Sequence, residues 1–390
     1  MFRLLHMADC GLKNLPHGGI NPETGLNRRF EDISKNFKYA INKAVEDGCK
    51  YVVIAGDINE ERNPESFLIE KFSSYIADIV SLGMQVIIIA GNHDVDSSKS
   101  TSTSVSFIKA LGLVGTYVAD LKPELFEFDD VAFHCFPYMF PHQVGVETNE
   151  ELTEWLAKAI VGTRMIKGKP NVIVTHYSLE STFAGLGVDE PVLQLDALSR
   201  FDYVALGHIH KYEMFSSFHG GYTGSMFVKD FGEERTKNVN IVTFDGDATP
   251  AIKKIELPER KFVQFNIDAR DMDVDAVVVE LRGLIGNEAP WAADDHQPIG
   301  GAVVKVSIHV RQRFNPKLIY ECLRSNGVFH HAPIDWKIER SSTVKKIEYM
   351  KNTDKAIVQG YFEENTDKDP HGKVEDYILE KIGQWDEVFT

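Results

Sequence analysis

Seven polar side chains stand where apolar runs of this sequence stop: Asp9, Asp57, Asn92, His93, His176, His208 and His210. Carboxylates, one amide oxygen and imidazoles make a donor set for borderline divalent ions such as manganese, iron or zinc, more than for magnesium alone. Two ions about 3.5–4 Å apart need a ligand that reaches both, and an Asp carboxylate has two oxygens for that purpose. Asp57 is the candidate bridge. His208 and His210 flank Ile209, so on an extended segment they point to one side and reach different ions. Gly56-Asp57 alone is a common turn, whereas Gly91-Asn92-His93-Asp94 directly after Ile87-Ile88-Ile89-Ala90 is a rarer combination.

The apolar runs must position these groups. Unbroken runs at 51–55, 85–90, 171–175 and 202–206 predict strands buried on both faces, and residues 2–8 predict a first strand that delivers Asp9. Between them, Phe30, Ile33, Phe37, Ala40, Ile41, Ala44 and Val45 predict a helix over 27–47. A second helix runs over 64–82, with Pro64 in its first turn. Right-handed crossovers in this strand–helix–strand–helix–strand order place Asp9, Asp57 and Asn92-His93 on one sheet edge. Short strands at 125–128 and 131–135 read as antiparallel, residues 149–161 as a helix, and 220–224 with 239–244 as the completion of a second sheet. The expected fold class is α/β, a two-sheet α/β sandwich with outer helices.

After Pro258 the pattern restarts as a small α+β unit: strands at 261–267, 302–309 and 334–339, with helices at 274–284 and 316–324. An acidic stretch at 363–370 then leads to Val374, Tyr377, Ile378, Ile382 and Trp385, spaced as one apolar helix face. The expected domains are 1–257, carrying the site, 258–350, a capping unit, and 351–390, a linker and C-terminal helical segment.

Composition narrows the function classes. The chain has 390 residues, 43% hydrophobic and 26% charged, with a net charge of −16. A chain this acidic does not bind nucleic acid by its overall charge, so such binding requires local patches, metal ions or a partner. No apolar run approaches the roughly 20 residues that span a bilayer, and the first residues turn polar too soon for a signal peptide. Cys10, Cys49, Cys135 and Cys322 are scattered without CxxC spacing, which indicates neither a disulfide framework nor a cysteine zinc site. The expected location is the cytoplasm, a host's if the chain is phage-encoded, with no membrane partner.

The motif order Asp9, Gly56-Asp57, Gly91-Asn92-His93-Asp94, His176 and Gly207-His208-Ile209-His210 resembles the calcineurin-like metallophosphoesterase family. Leu4-Leu5-His6-Met7-Ala8-Asp9, Tyr203-Val204-Ala205-Leu206 and Tyr222-Thr223-Gly224-Ser225 followed by Asp230-Phe231-Gly232-Glu233 are similar to one branch. That branch is the SbcD-type nuclease subunits of DNA double-strand break repair, phage-encoded relatives included. The resemblance implies a first metal on Asp9, Asp57 and His210, and a second on Asp57, Asn92, His176 and His208. It makes His93 the group over the scissile phosphate, with Asp94 orienting it. It further implies an exo/endonuclease that hydrolyses phosphodiester bonds at DNA ends, with manganese as the first choice of metal and magnesium, iron or zinc as alternatives. The implied partners are double- and single-stranded DNA, a second copy in a homodimer, and an SbcC-type ATPase. The ATPase would be bound through Tyr377, Ile378, Ile382 and Trp385. Basic residues of the capping unit, Arg311, Arg313, Lys317, Lys345 and Lys346, are candidates for contact with the DNA backbone.

One position departs from the family pattern. Its first motif is Asp-x-His, and this chain has Asp9-Cys10-Gly11. The first metal would keep three protein ligands, with water in the fourth place; His17 folding back is the alternative. Activity is expected to persist but to need more manganese. Two other readings stay open: a small-molecule phosphodiesterase or phosphatase of the same superfamily, and a DNA-tethering scaffold that Gly11 has cost its catalysis.

Overall fold

Alternation along the apolar runs sorts their side chains between two cores. In Tyr51–Ala55, Val52 and Ile54 pack with Phe37, Ala40, Phe72 and Ile76 on one face. Tyr51, Val53 and Ala55 pack with Phe133, Val172, Val174 and Ala205 on the other. This is the pattern of a sheet covered by helices on one side and by a second sheet on the other.

The computed structural model describes residues 1–15, 17–96, 102–183, 189–246, 249–288 and 301–339. The chain opens with β1 (Phe2–Met7), α1 (Arg28–Glu46), β2 (Tyr51–Ala55), α2 (Ser66–Ser81) and β3 (Gln85–Ile89). Asn27 starts α1, its side-chain oxygen accepting the backbone N–H groups of Arg29 and Phe30 at 2.9 and 3.0 Å. Next come α3 (Ser106–Leu111), β4 (Thr116–Ala119), β5 (Glu124–Glu127), β6 (Ala132–Phe136) and α4 (Asn149–Gly162). Then follow β7 (Asn171–His176), β8 (Ser178–Leu179), α5 (Glu180–Phe183), β9 (Val192–Leu193), α6 (Leu195–Leu198), β10 (Tyr203–Gly207), β11 (Glu213–Phe215) and β12 (Gly220–Tyr222). β13 (Asn238–Phe244) and β14 (Ala251–Glu256) close the sandwich.

The first sheet has the order β14-β13-β1-β2-β3-β4, with β1 to β4 parallel. The second has the order β11-β12-β10-β7-β6-β5, with a parallel centre and antiparallel edges. Its outer face packs Ile173, Val204 and Leu206 against Leu152, Leu156 and Ile160 of α4. The molecule is therefore a mixed α/β sandwich of two sheets. One strand is not where the hydrophobic pattern put it: β13 pairs antiparallel with β1 in the first sheet and does not belong to the second. Backbone groups on both edges of the buried β1 need partners, and β13 supplies those that β2 does not. Its side chains divide between the two cores and so carry no mark of which sheet it joins.

The remaining described elements are β15 (Lys261–Asp268), α7 (Val274–Glu288), β16 (Ala302–Val310), α8 (Lys317–Ser325), β17 (His330–His331) and β18 (Asp335–Ile338). They form a third, parallel sheet with its own apolar core of Phe265, Val277, Leu281, Val304, Ile308 and Leu323. Met1–Ile338 pack as one compact unit. The expected linker, the C-terminal helix and residues Lys345, Lys346, Tyr377, Ile378, Ile382 and Trp385 lie outside the described residues. Among the described residues no helix is long and apolar enough to cross a membrane. All four cysteines are free and buried.

Candidate metal centre

The parallel central strands of the two sheets end at one place, and the backbone there is strained. Asp9 (φ 49°), Asp57 (φ 50°) and His208 (φ 100°) all lie in the left-handed region, joined only by His17 (φ 71°) among described non-glycine residues. Each such residue stores about 1–3 kcal/mol of strain and persists only where its surroundings over-determine it. Here backbone bonds do so: Asp9 N–H donates to Gly56 O at 3.0 Å, Gly11 N–H to Asp57 O at 3.1 Å and Met226 N–H to Asp9 O at 3.2 Å. The His208 N–H donates to the Asp9 carboxylate at 3.1 and 3.2 Å. Gly91 is required by close approach, because a Cβ there would fall 2.4 Å from the Asp57 backbone nitrogen.

Asp9, Asp57 and His176, all buried, each offer a ligand atom within 4.8 Å of the others. His176 Nε2 lies 3.3 Å from Asp57 Oδ2 and 4.0 Å from Asp9 Oδ1, and His210 Nε2 lies 3.9 Å from Asp9 Oδ1. Asn92 Oδ1 faces both His176 Nε2, at 3.1 Å, and His208 Nδ1, at 3.0 Å.

Each histidine is oriented from behind. His176 Nδ1–H donates to Ala55 O at 2.7 Å, which turns Nε2 toward the carboxylates. His208 Nε2–H donates to Glu190 at 3.2 Å, leaving Nδ1 to face Asn92. His210 Nδ1–H donates to Glu233 Oε1 at 2.9 Å, leaving Nε2 to face Asp9. Such outer hydrogen bonds fix tautomer and ring orientation in metal sites. Glu233 is held in turn by the buried Lys237 at 3.0 Å. Glu190 had no sequence signal; Glu233 had one only as the end of the Asp230-Phe231-Gly232-Glu233 stretch.

Electrostatics tell the same story. Burial raises the Asp9 carboxyl above its ordinary range, against the pull of His176 and His210. Burial also acts on Asp57, but the charge and hydrogen bond of His176 outweigh it and hold that carboxyl low. Burial presses His176 toward neutrality, yet Asp57 and Asp9 lift it to about 9. Two carboxylates, an amide oxygen and three imidazoles thus face one another in linked pairs around the buried Asp9, Asp57 and His176. A divalent cation would satisfy all of them, so the donor set fits metal.

His93 stands beside this cluster with 45% of its side chain exposed, Nε2 4.0 Å from Asp57 Oδ2. The expected orienting role of Asp94 is corrected by the structure. Asp94 accepts from Gly91 N, Ile58 N, Asn59 N and Ser104 Oγ, which ties three loops together. Instead, His93 Nδ1–H donates to the Glu60 carbonyl at 3.2 Å. A carboxylate next in sequence to a histidine points elsewhere on a tight turn, and sequence adjacency misleads for that reason.

His17 does not reach the centre: its ring lies 5.1 Å from that of His330. Cys10 is fully buried in the apolar core. Arg311, Arg313 and Lys317 are exposed beside one another after β16, with Arg311 paired to Asp271 at 2.7 Å.

The sequence is similar to known proteins. Residues 2–212 match the family described as calcineurin-like phosphoesterase. The DNA double-strand break repair protein Mre11 of Aeropyrum pernix is 24% identical over 316 residues, covering 78% of this chain and 73% of that protein. Mre11 of Methanopyrus kandleri is 26% identical over 62% of this chain and 54% of its own length. The SbcD protein of Escherichia coli, from the nuclease SbcCD, is 20% identical over 53% of this chain and 58% of its own length. The match spans every residue of the centre from Asp9 to His210: this chain belongs to the calcineurin-like phosphoesterase family, in which its relatives include the Mre11 and SbcD proteins.

Proposed function

We propose that this chain is the nuclease subunit of a DNA end-processing complex, hydrolysing phosphodiester bonds with two divalent metal ions, manganese first among them. The observation that carries the reading is the buried cluster of Asp9, Asp57 and His176, with Asn92 and His208 joined to it through His176 and His210 facing Asp9. The relatedness to Mre11 and to the SbcD protein of the SbcCD nuclease supports the choice of substrate. In this reading Asp9, Asp57 and His210 hold one ion, and Asp57, Asn92, His176 and His208 hold the other. The ions, when bound, supply Lewis acidity for an attacking water and for the phosphoryl oxygens.

The chain's own residues do the rest. Asp57 would bridge the two ions, and its Oδ1 accepts the His93 backbone N–H at 2.9 Å, which ties the position of His93 to that of this carboxylate. The Glu60 carbonyl holds the Nδ1–H, so a proton handed to the leaving oxygen comes from Nε2. Glu190 and Glu233 keep the two histidines of the Gly-His-x-His turn aimed inward. The third sheet, with Arg311, Arg313 and Lys317 on its surface, would cap the site and meet the DNA backbone. The C-terminal segment would bind an SbcC-type ATPase, and a second copy would complete a homodimer.

The test is end-labelled duplex DNA against bis-p-nitrophenyl phosphate, with manganese, for wild type and His93→Ala. The expected result is DNA cleavage that falls about 10²–10⁴-fold in His93→Ala. Hydrolysis of the small diester with DNA left intact would overturn the reading in favour of a small-molecule phosphodiesterase. DNA binding without cleavage of either would leave a tethering scaffold.

A further inference from the structure

Beside Gly11 lies a largely buried carboxylate that the motifs do not include. The loop after β2 runs next to the segment after β1, with Gly11 N–H donating to Asp57 O at 3.1 Å and Leu12 N–H to Ile58 O at 2.8 Å. That pairing carries Glu60, three residues beyond Asp57, alongside Gly11. Only 7% of the Glu60 side chain is exposed. Its Oε2 takes the Lys229 ammonium at 2.6 Å. Its Oε1 accepts no hydrogen bond among the described residues and stands 3.3 Å from the point where a Cβ on Gly11 would be. The other atoms closest to that point are Cε1 and Cζ of Phe227, which can hold no cation.

We infer that Glu60 is a ligand of the first metal, its Oε1 joining Asp9, Asp57 and His210 in the place otherwise left to water. The assignment rests on the metal-centre reading above. A carboxylate oxygen is the donor that manganese or magnesium prefers, and Oε1 is the oxygen that the Lys229 ion pair does not use. The two oxygens divide the work. Oε2 is anchored by Lys229, and Oε1 is left beside a glycine, where no side chain at position 11 stands in its way.

The experiment is manganese titration of the full chain, followed by the resonance signal of the free ion, for wild type, Glu60→Gln, Glu60→Asp and Lys229→Met. Wild type is expected to take up two ions. Glu60→Gln should keep one and bind the second at least about 10-fold more weakly. Glu60→Asp, which keeps the charge, should fall between, and Lys229→Met, which removes the anchor but leaves the carboxylate, should lose less than Glu60→Gln. Thermal melts in EDTA confirm that the variants are folded. Two-ion binding with a Glu60-dependent second site supports the assignment even in a chain that cuts no DNA. Undiminished binding by Glu60→Gln overturns it, as does an equal loss in Lys229→Met, which would make Glu60 an ion-pair anchor. A wild type that binds no manganese overturns both this assignment and the metal centre.

Discussion

Replacing Gly11 is the sharpest probe of how this site is built, because the residue sits where a histidine ligand is expected by resemblance. Its φ is +58°, and a Cβ there would lie 2.3 Å from Cε1 and 2.7 Å from Cζ of Phe227. The Phe227 ring is 1% exposed and packed in the core over α1, so it has nowhere to swing. An L-residue in the left-handed region costs about 1–2 kcal/mol, and forcing atoms into a packed core adds about 1–3 kcal/mol. Gly11→Ala should therefore destabilise the chain by about 2–5 kcal/mol, seen as a fall of several degrees in the thermal midpoint. Gly11→His meets the same obstacles with a larger side chain and should not install a working ligand. The double variant Gly11→Ala/Phe227→Leu separates the two causes. Trimming the ring should recover the overlap, giving a coupling of about 1–3 kcal/mol, while the backbone part remains. A Gly11→Ala chain that melts with wild type, or a double variant with no coupling, would refute the reasoning.

Other outcomes follow from the same geometry. Asp57 holds a left-handed backbone for the sake of its carboxylate, so Asp57→Gly should melt above Asp57→Ala by about 1 kcal/mol while neither binds manganese; equal melting would show that the backbone is unstrained. Burial, opposed by Arg29, pushes the Glu259 carboxyl from 4.5 to about 7. The folded chain then keeps a proton that the unfolded chain releases, so stability falls as pH rises from about 4.5 to 7, by at most about 3 kcal/mol. Glu259→Gln should remove that slope in melts compared between pH 5 and pH 8, and an unchanged slope would sink the assignment. Truncation after Thr353 should abolish co-purification with an SbcC-type ATPase while leaving the remaining chain folded, and retained co-purification would count against a partner-binding tail.

Much of this protein was determined locally. Apolar runs long enough for strands, helical spacing between them, and crossovers of one hand suffice to bring Asp9, Asp57 and Asn92 to one edge. Periodicity decides which residues face a core, because burial of alternate side chains is a property of the chain itself. What needed the tertiary structure was every relation between groups distant in sequence whose types carry no periodic mark. β13 joined the first sheet because β1 had an unpaired edge, which no pattern within β13 records. Asp94 turned from His93 to bind three loops, and a backbone carbonyl took its place. Glu190 and Glu233 became the supports of His208 and His210 only through contacts across 18 and 23 residues. At Gly11 the sequence by itself determined only that a glycine stands where the resemblance expects a histidine. The tertiary structure decided what stands there, since Phe227 and the Glu60 carboxylate reach that point only when strand β1 and the loop after β2 lie side by side.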